Sequence, residues 1–462
     1  MKLRSFTTLC FPTRGALALA LFVCVIAPTT LVALQINENP EFSLIDEVAH
    51  WDYVTRVANQ GFPRIGDTLQ QSTLRENACR KTDLSGLVIP KCNSKYFNPE
   101  KFPGGAQQYE AQHPPTYYAL TVPLRWIATD IFGFSDVSGT RFTGILWLVA
   151  GLLLLWAAGR VLDLPPPTIG VGILLLTTAP VVIYHTAVIS NDVPSIFIGS
   201  LIAFVAALCY QRPGRWTIAL AAVGFFAASV KATSMIPIAA ISAAFAVKAW
   251  AESGKEAGGS YARTSAAIKK WLYDGGALLI GGAVASLIWV VVSRQLATIN
   301  PGEIAAFGVL RLNPVGPELI LKETLSLLGP VTDSFVSPAT LSQDLQVYFY
   351  GLLKIMLIAG AFSGFFVAAR KWNHWLGLTT LGSLIIVGTL LGVSVSFTYK
   401  IDPGISGRYG LAAAPLLVLA LVAGIRGVWI IRGLWLFALA SLTTTLCVMI
   451  FSYRSVILFL NG

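Results

Sequence analysis

Apolar runs of near-membrane length recur from one end of this chain to the other, with short polar connections between them. About 30 Å of hydrocarbon offers backbone amides no partner, so a run of roughly 20 apolar residues crosses it only as a helix or in a closed barrel. The period-2 alternation of barrel strands is absent, and the expected fold class is all-α. Composition agrees: 55% of the 462 residues are hydrophobic and only 12% are charged.

The first run spans about Gly15 to Gln35. Ten more follow near 139–161, 167–188, 193–211, 216–232, 234–250, 275–294, 347–369, 375–396, 410–426 and 433–453, giving eleven expected transmembrane helices in one domain, 1–462. The stretch Pro114 to Phe134 is also apolar, but Pro114, Pro115, Pro123, Arg125 and Asp130 interrupt it, and an interfacial or re-entrant helix is expected there. Lys2, Arg4 and Arg14 precede the first run in the manner of a signal peptide. The run is long for one, and cleavage near Leu34 would detach the acids that follow it, so an uncleaved anchor is expected.

The net charge of +10 comes without a long basic tract, and no nucleic-acid partner is expected. The basic residues read instead as topology. With the N-terminus in the cytoplasm, the inner connections carry Arg160, then Arg212 and Arg215, then Lys255, Arg263, Lys269 and Lys270, then Arg370 and Lys371, then Arg426 and Arg432. Loops 36–138 and 297–346 then lie outside, and the linker 251–275 inside, with a basic amphipathic helix near Ala266 to Tyr273 that meets membrane lipids. The expected location is the cytoplasmic membrane, with a functional site on its outer side. Cys79 and Cys92 share the first outer loop, where a disulfide and two free thiols fit the sequence equally well.

The polar residues with most chemical promise cluster just outside the spans. Asp46, Glu47 and His50 follow the first run at the start of a helix, where N-capping by acids is the plain alternative. His113 precedes Pro114 and Pro115; Asp192 sits with Ser190 and Asn191 in a short outer turn before Pro194, where ordinary helix capping is again the alternative. Arg141 heads the second run, Lys231 lies between apolar runs, and Gly407, Arg408, Tyr409 and Gly410 open the tenth. Ionisable groups so flanked are costly in lipid, which favours function, though snorkelling also accounts for them.

In this order the motifs resemble those of the GT-C membrane glycosyltransferases, most closely bacterial relatives of the polyprenyl- or dolichyl-phosphate-mannose-dependent protein mannosyltransferases. The likeness covers the hydropathy layout and is strongest over the first 200 or so residues; beyond Ser234 it rests on Gly407-Arg408-Tyr409. It implies helices lying on the membrane in the first outer loop and Asp46 as catalytic base. It also implies a donor phosphate met by His113, Arg141, Lys231, Arg408 and Tyr409, with Glu47, His50 and Asp192 supporting an acceptor or a divalent metal such as Mg or Mn. The family divides on metal use. The implied partners are a polyprenyl-phosphate sugar and a glycan, lipid or protein acceptor.

The residue types suit that reaction on their own terms. An acceptor hydroxyl needs a carboxylate to take its proton, and a departing polyprenyl phosphate needs cationic stabilisation. One base and one displacement invert the anomeric centre. A polysaccharide ligase or polymerase, and a transporter of lipid-linked sugar built around Lys231 and helix-breaking prolines, are the alternatives. Against the transporter, no inverted halves are visible and the polar residues gather on one face.

Overall fold

A computed structural model describes residues 10–43, 46–80, 89–254, 260–300, 303–304, 316–331, 343–366, 373–399 and 407–460. Lys255, Arg370, Lys371 and residues 301–302, 305–315 and 332–342 of loop 297–346 lie outside the described residues. The described chain is helical, and among the described residues the single β-type contact is an isolated bridge between Thr68 and Gln107.

In chain order the helices are α1 (Arg14–Glu38), α2 (Glu47–Asn59), α3 (Gln71–Arg80), α4 (Thr116–Trp126), α5 (Asp136–Val161), α6 (Pro166–Thr177), α7 (Pro180–Ala187) and α8 (Ser195–Gln211). There follow α9 (Thr217–Val230), α10 (Ala232–Ser253), α11 (Ala262–Leu296), α12 (Pro317–Ser326), α13 (Gln343–Phe366), α14 (Asn373–Tyr399), α15 (Gly407–Gly424) and α16 (Val428–Leu460). Seven of these are long and apolar enough to cross a membrane: α1, α5, α10, α11, α14, α15 and α16. The pair α6 and α7 passes the same test jointly but bends by 64° at its break, where Pro180 can donate no backbone hydrogen bond. Ser195–Gln211, Thr217–Val230 and Gly351–Ser363 are shorter apolar helices.

Large apolar side chains point outward from the long helices, among them Leu287 on α11, Leu390 on α14 and Leu436 on α16. A soluble monomer rarely exposes such faces on that scale, and lipid is the solvent they suit. The chain is therefore an all-helical polytopic membrane protein.

The segment expected at the interface folds as α4 and a π-turn over Ile127–Ile131, with Trp126, Ile131 and Phe132 exposed. The amphipathic segment near Ala266 is helical and forms the first turns of α11, ahead of a π-turn over Leu272–Gly276. Cys79 and Cys92 form a disulfide, which decides between the two readings open in the sequence.

Small residues let the helices approach closely. A Cβ added at Gly224 on α9 would collide with the Leu278 carbonyl of α11, and one at Gly199 on α8 with the Ala412 carbonyl in the opening turns of α15. The second contact matters here because those turns, a 3-10 stretch over Gly407–Ala413, carry Arg408. Gly199→Ala should therefore cost about 1–3 kcal/mol, the usual penalty of overpacking. Gly382→Ala on α14 meets nothing within 4 Å and should be neutral or stabilising. Thermal unfolding in detergent checks the pair: equal melting temperatures would contradict the close approach at Gly199.

Candidate active site

Loop 36–138 is held together by a carboxylate that nothing in the sequence singles out. Asp52 on α2 is fully buried, and its Oδ1 accepts from the Gln70 backbone at 2.7 Å and from Thr73 Oγ1 at 2.9 Å. Its Oδ2 accepts from Arg56 Nε at 2.7 Å and Gln108 Nε2 at 2.8 Å. These bonds bring α2, the start of α3 and the segment before His113 over a small core that includes Leu74, Phe97 and Phe102.

Glu47, at the first turn of α2, is paired with Arg141 on α5. Arg141 Nε and Nη2 each reach one Glu47 oxygen at 2.7 Å, with both side chains buried. The same carboxylate accepts from the backbone of Ser43 at 2.7 Å and of Ile189 at 2.9 Å, while Arg141 also donates to the carbonyls of Asn39 and Glu41 at 2.5 and 2.6 Å. With its oxygens and donors committed to one another, this pair acts as a clamp holding α1, α2, α5 and the 188–194 turn in register.

Beside the clamp runs a row of alternating charge. Asp46 accepts from the Tyr109 hydroxyl at 3.0 Å and lies 3.5 Å from Arg408 Nη2. Arg408 Nε is 3.8 Å from Asp192, and the other Asp192 oxygen accepts from Lys231 Nζ. Tyr409 completes the row, with Lys231 and Arg408 lying 5.1 and 5.3 Å from its ring centre. Local backbone sets each member. Asp46 has φ +59°, a conformation rare outside glycine and asparagine, and Lys231 stands on an extended residue that breaks α9 from α10. Neither acid caps a helix through its side chain, although Asp46 does occupy the N-cap position of α2. The Asp46 side chain is 36% exposed, whereas those of Asp192 and Lys231 are 4% and 5% exposed. Burial pushes Asp192 upward, but Lys231 and Arg408 outweigh it and hold its carboxyl below the ordinary range.

A third set stands next to the row. His50 Nδ1 is 2.8 Å from the Tyr118 hydroxyl, and its Nε2 is 3.5 Å from Glu110. His113 Nε2 lies 3.2 Å from the same Glu110 oxygen. Burial, and then the charge of Asp46, push Glu110 well above the ordinary carboxylate range. Burial also depresses both histidines, joined by the charge of His113 and Lys231 at His50 and of Lys231 at His113.

The structure thus brings Asp46, Asp192, Lys231, Arg408 and Tyr409 together and sends the other expected site residues elsewhere: Glu47 and Arg141 to the clamp, His50 and His113 to Glu110. Glu47, His50 and Asp192 do not fit a divalent metal, because each faces a different partner and the nearest group to Asp192 is an ammonium. Among the described residues no three His, Cys, Asp or Glu side chains converge as a ligand set. Tyr109 and Glu110 were missed; a Tyr-Glu pair in a polar loop shows no period, and only its nearness to His113 could have drawn attention.

Two outcomes are expected. Arg141→Ala leaves Glu47 buried without its cation and should destabilise by about 3–5 kcal/mol. Arg141→Lys should recover little of that, since an ammonium cannot make the paired contact; full recovery in a melting assay would count against the clamp. In addition, the unfolded chain protonates His50 and His113 near their ordinary value of 6.5, whereas the folded protein resists doing so. Their contribution to stability is complete above that value and is lost as pH falls below it. Melting temperature should drop on acidification, less steeply in His113→Gln; an identical slope would contradict the depressed histidine. Set against protein-family models, curated proteins and solved structures, the chain matches none.

Proposed function

We propose that this protein is an inverting glycosyltransferase of the GT-C type, moving a sugar from a polyprenyl phosphate to an acceptor hydroxyl outside the cytoplasmic membrane. The observation that carries the reading is the row itself: an accessible carboxylate, Asp46, stands beside two cations, Arg408 and Lys231, that are anchored by a buried acid. Asp46 takes the acceptor hydroxyl proton as that oxygen bonds to the anomeric carbon. The carbon–oxygen bond to phosphate breaks, its electron pair leaves with the phosphate, and Arg408 and Lys231 meet the growing negative charge. The charge lost at Asp46 equals that gained by the phosphate, so the centre needs no counter-ion from solution. His113 and Arg141, engaged by Glu110 and Glu47, are left out of donor binding in this reading.

The seven long helices, the bent pair and the three shorter apolar helices are taken together as eleven spans, with the basic connections inside. The disulfide in the first outer loop supports that orientation, because an oxidising compartment preserves it. One feature favours a different reading, a transporter of the lipid-linked sugar: the broken pair α6 and α7 has the discontinuity used by transporters at their binding sites.

Purified protein in liposomes, given a panel of radiolabelled polyprenyl-phosphate hexoses and pentoses, separates the two. Label should leave the lipid for an acceptor or water in wild type and be reduced at least about 100-fold in Asp46→Asn, the usual scale of a general base. Arg408→Ala should weaken donor binding, read as a raised KM. Movement of intact donor across the bilayer without cleavage would overturn the transferase in favour of the transporter.

A further inference from the structure

At the end of the helices remote from the row lies an apolar slot. Leu162 just beyond α5, Tyr210 in the last turn of α8, Lys248 near the end of α10 and Trp375 near the start of α14 all line it. Asp192 and Lys231 stand instead just before α8 and α10. The slot has a volume of about 340 Å³, within the range of small-molecule sites. Alanines make the room, with Ala203, Ala206 and Ala207 on α8 and Ala244 on α10 among its walls. Small residues usually let helices touch, whereas these face a cavity. Along α10 the lining runs from Ile241 to Glu252, about 16 Å at the helical rise of about 1.5 Å per residue. One leaflet of hydrocarbon, half of about 30 Å, is about as deep. The slot therefore has the length of an acyl chain lying in a single leaflet.

Its mouth is of the opposite character. The slot shares Phe245, Lys248 and Glu252 with a second hollow of about 250 Å³, which is also lined by Lys270 and Asp274. Asp274 is engaged, its Oδ1 accepting from the Gly214 backbone at 3.1 Å. Lys248 stands at the junction, its Nζ 4.5 Å from the ring centre of Tyr210 and 6.0 Å from that of Phe245. Lys248 and Glu252 are one turn apart on α10, the spacing at which opposite charges pair. Elsewhere in the chain that spacing closes: Asp52 meets Arg56, and Glu76 meets Arg80, both at 2.7 Å. Among the described residues Lys248 and Glu252 pair neither with each other nor with another charged group. A cation and an acid thus stay open side by side at the mouth of an apolar slot.

We propose that this slot and hollow form a binding site for one aminophospholipid of the phosphatidylethanolamine type, drawn from the leaflet on that side. One acyl chain fills the slot and the other remains in the bilayer. The phosphate meets Lys248, and the ammonium, which carries three donors, meets Glu252. The charges of such a head cancel as those of the mouth do. An anionic head would leave Glu252 facing a negative group, and a choline head has no N–H to donate. The donor and acceptor of the proposed transfer meet the opposite end of the helices and do not use this site.

Native mass spectrometry of the full chain in detergent, titrated with dioleoyl phosphatidylethanolamine, phosphatidylcholine or phosphatidylglycerol, reads the preference directly. Phosphatidylethanolamine should bind about 10-fold more tightly than either of the others, the scale of one charge-assisted hydrogen bond. Glu252→Gln, at an exposed position, should erase its advantage over phosphatidylcholine. Lys248→Met keeps the apolar stem and should weaken all three lipids. Ala207→Phe, which fills the slot, should weaken the aminophospholipid about 10-fold as well. Equal binding of the three lipids overturns the proposal, as does a preference that survives both Glu252→Gln and Lys248→Met. Tighter binding of phosphatidylglycerol, or displacement of phosphatidylethanolamine by an equal concentration of a polyprenyl phosphate, assigns the slot to an anionic lipid and overturns it too.

Discussion

The arrangement depends on one buried ion pair. Glu47 and Arg141 meet across 94 residues of sequence, and removing both charges from water would cost several kcal/mol per ion if either were left short of partners. Neither is, because the backbones of Ser43 and Ile189 and the carbonyls of Asn39 and Glu41 complete the shell. The pair is therefore expensive to break and geometrically exacting. Its partners also explain why the candidate site stands where it does. Asp46 is the residue before Glu47, and Asp192 is three residues beyond Ile189, so both acids of the row hang from the same clamp.

What the sequence made legible follows from how far each signal extends. Apolar runs fix helices because the bilayer leaves the backbone no other solution, and the described runs are helical apart from local breaks such as the bend between α6 and α7. Asp46, Asp192, Lys231, Arg408 and Tyr409 could be selected because a charge beside an apolar run is costly wherever it ends up. Pairing is a different kind of information. Nothing local distinguishes Glu47, whose oxygens are all engaged in a scaffold, from Asp46 one position earlier, whose carboxylate is partly open. The same limit hid Asp52 and Glu110, which lie in hydrophilic stretches where a buried acid and a solvated one look alike until the chain is folded.

The row and the histidine set solve opposite electrostatic problems. In the row, acid and cation alternate and each charge faces the next. In the set around Glu110, among the described residues, no lysine or arginine lies close enough to form an ion pair, and the carboxyl faces the two imidazoles instead. Tyr109 and Glu110, adjacent in sequence, belong one to each, so a single turn of 3-10 helix over Tyr109–Gln112 joins the charged row to the histidine set.

Arg408 lies 362 residues after Asp46, and it joins that acid to Asp192. The ribosome must therefore have made everything up to residue 408 before the two ends of the row can meet. Until then Asp46 and the Asp192–Lys231 pair are separate fragments, and a truncated chain that lacks this guanidinium keeps the residues of the ion pair but cannot close the row.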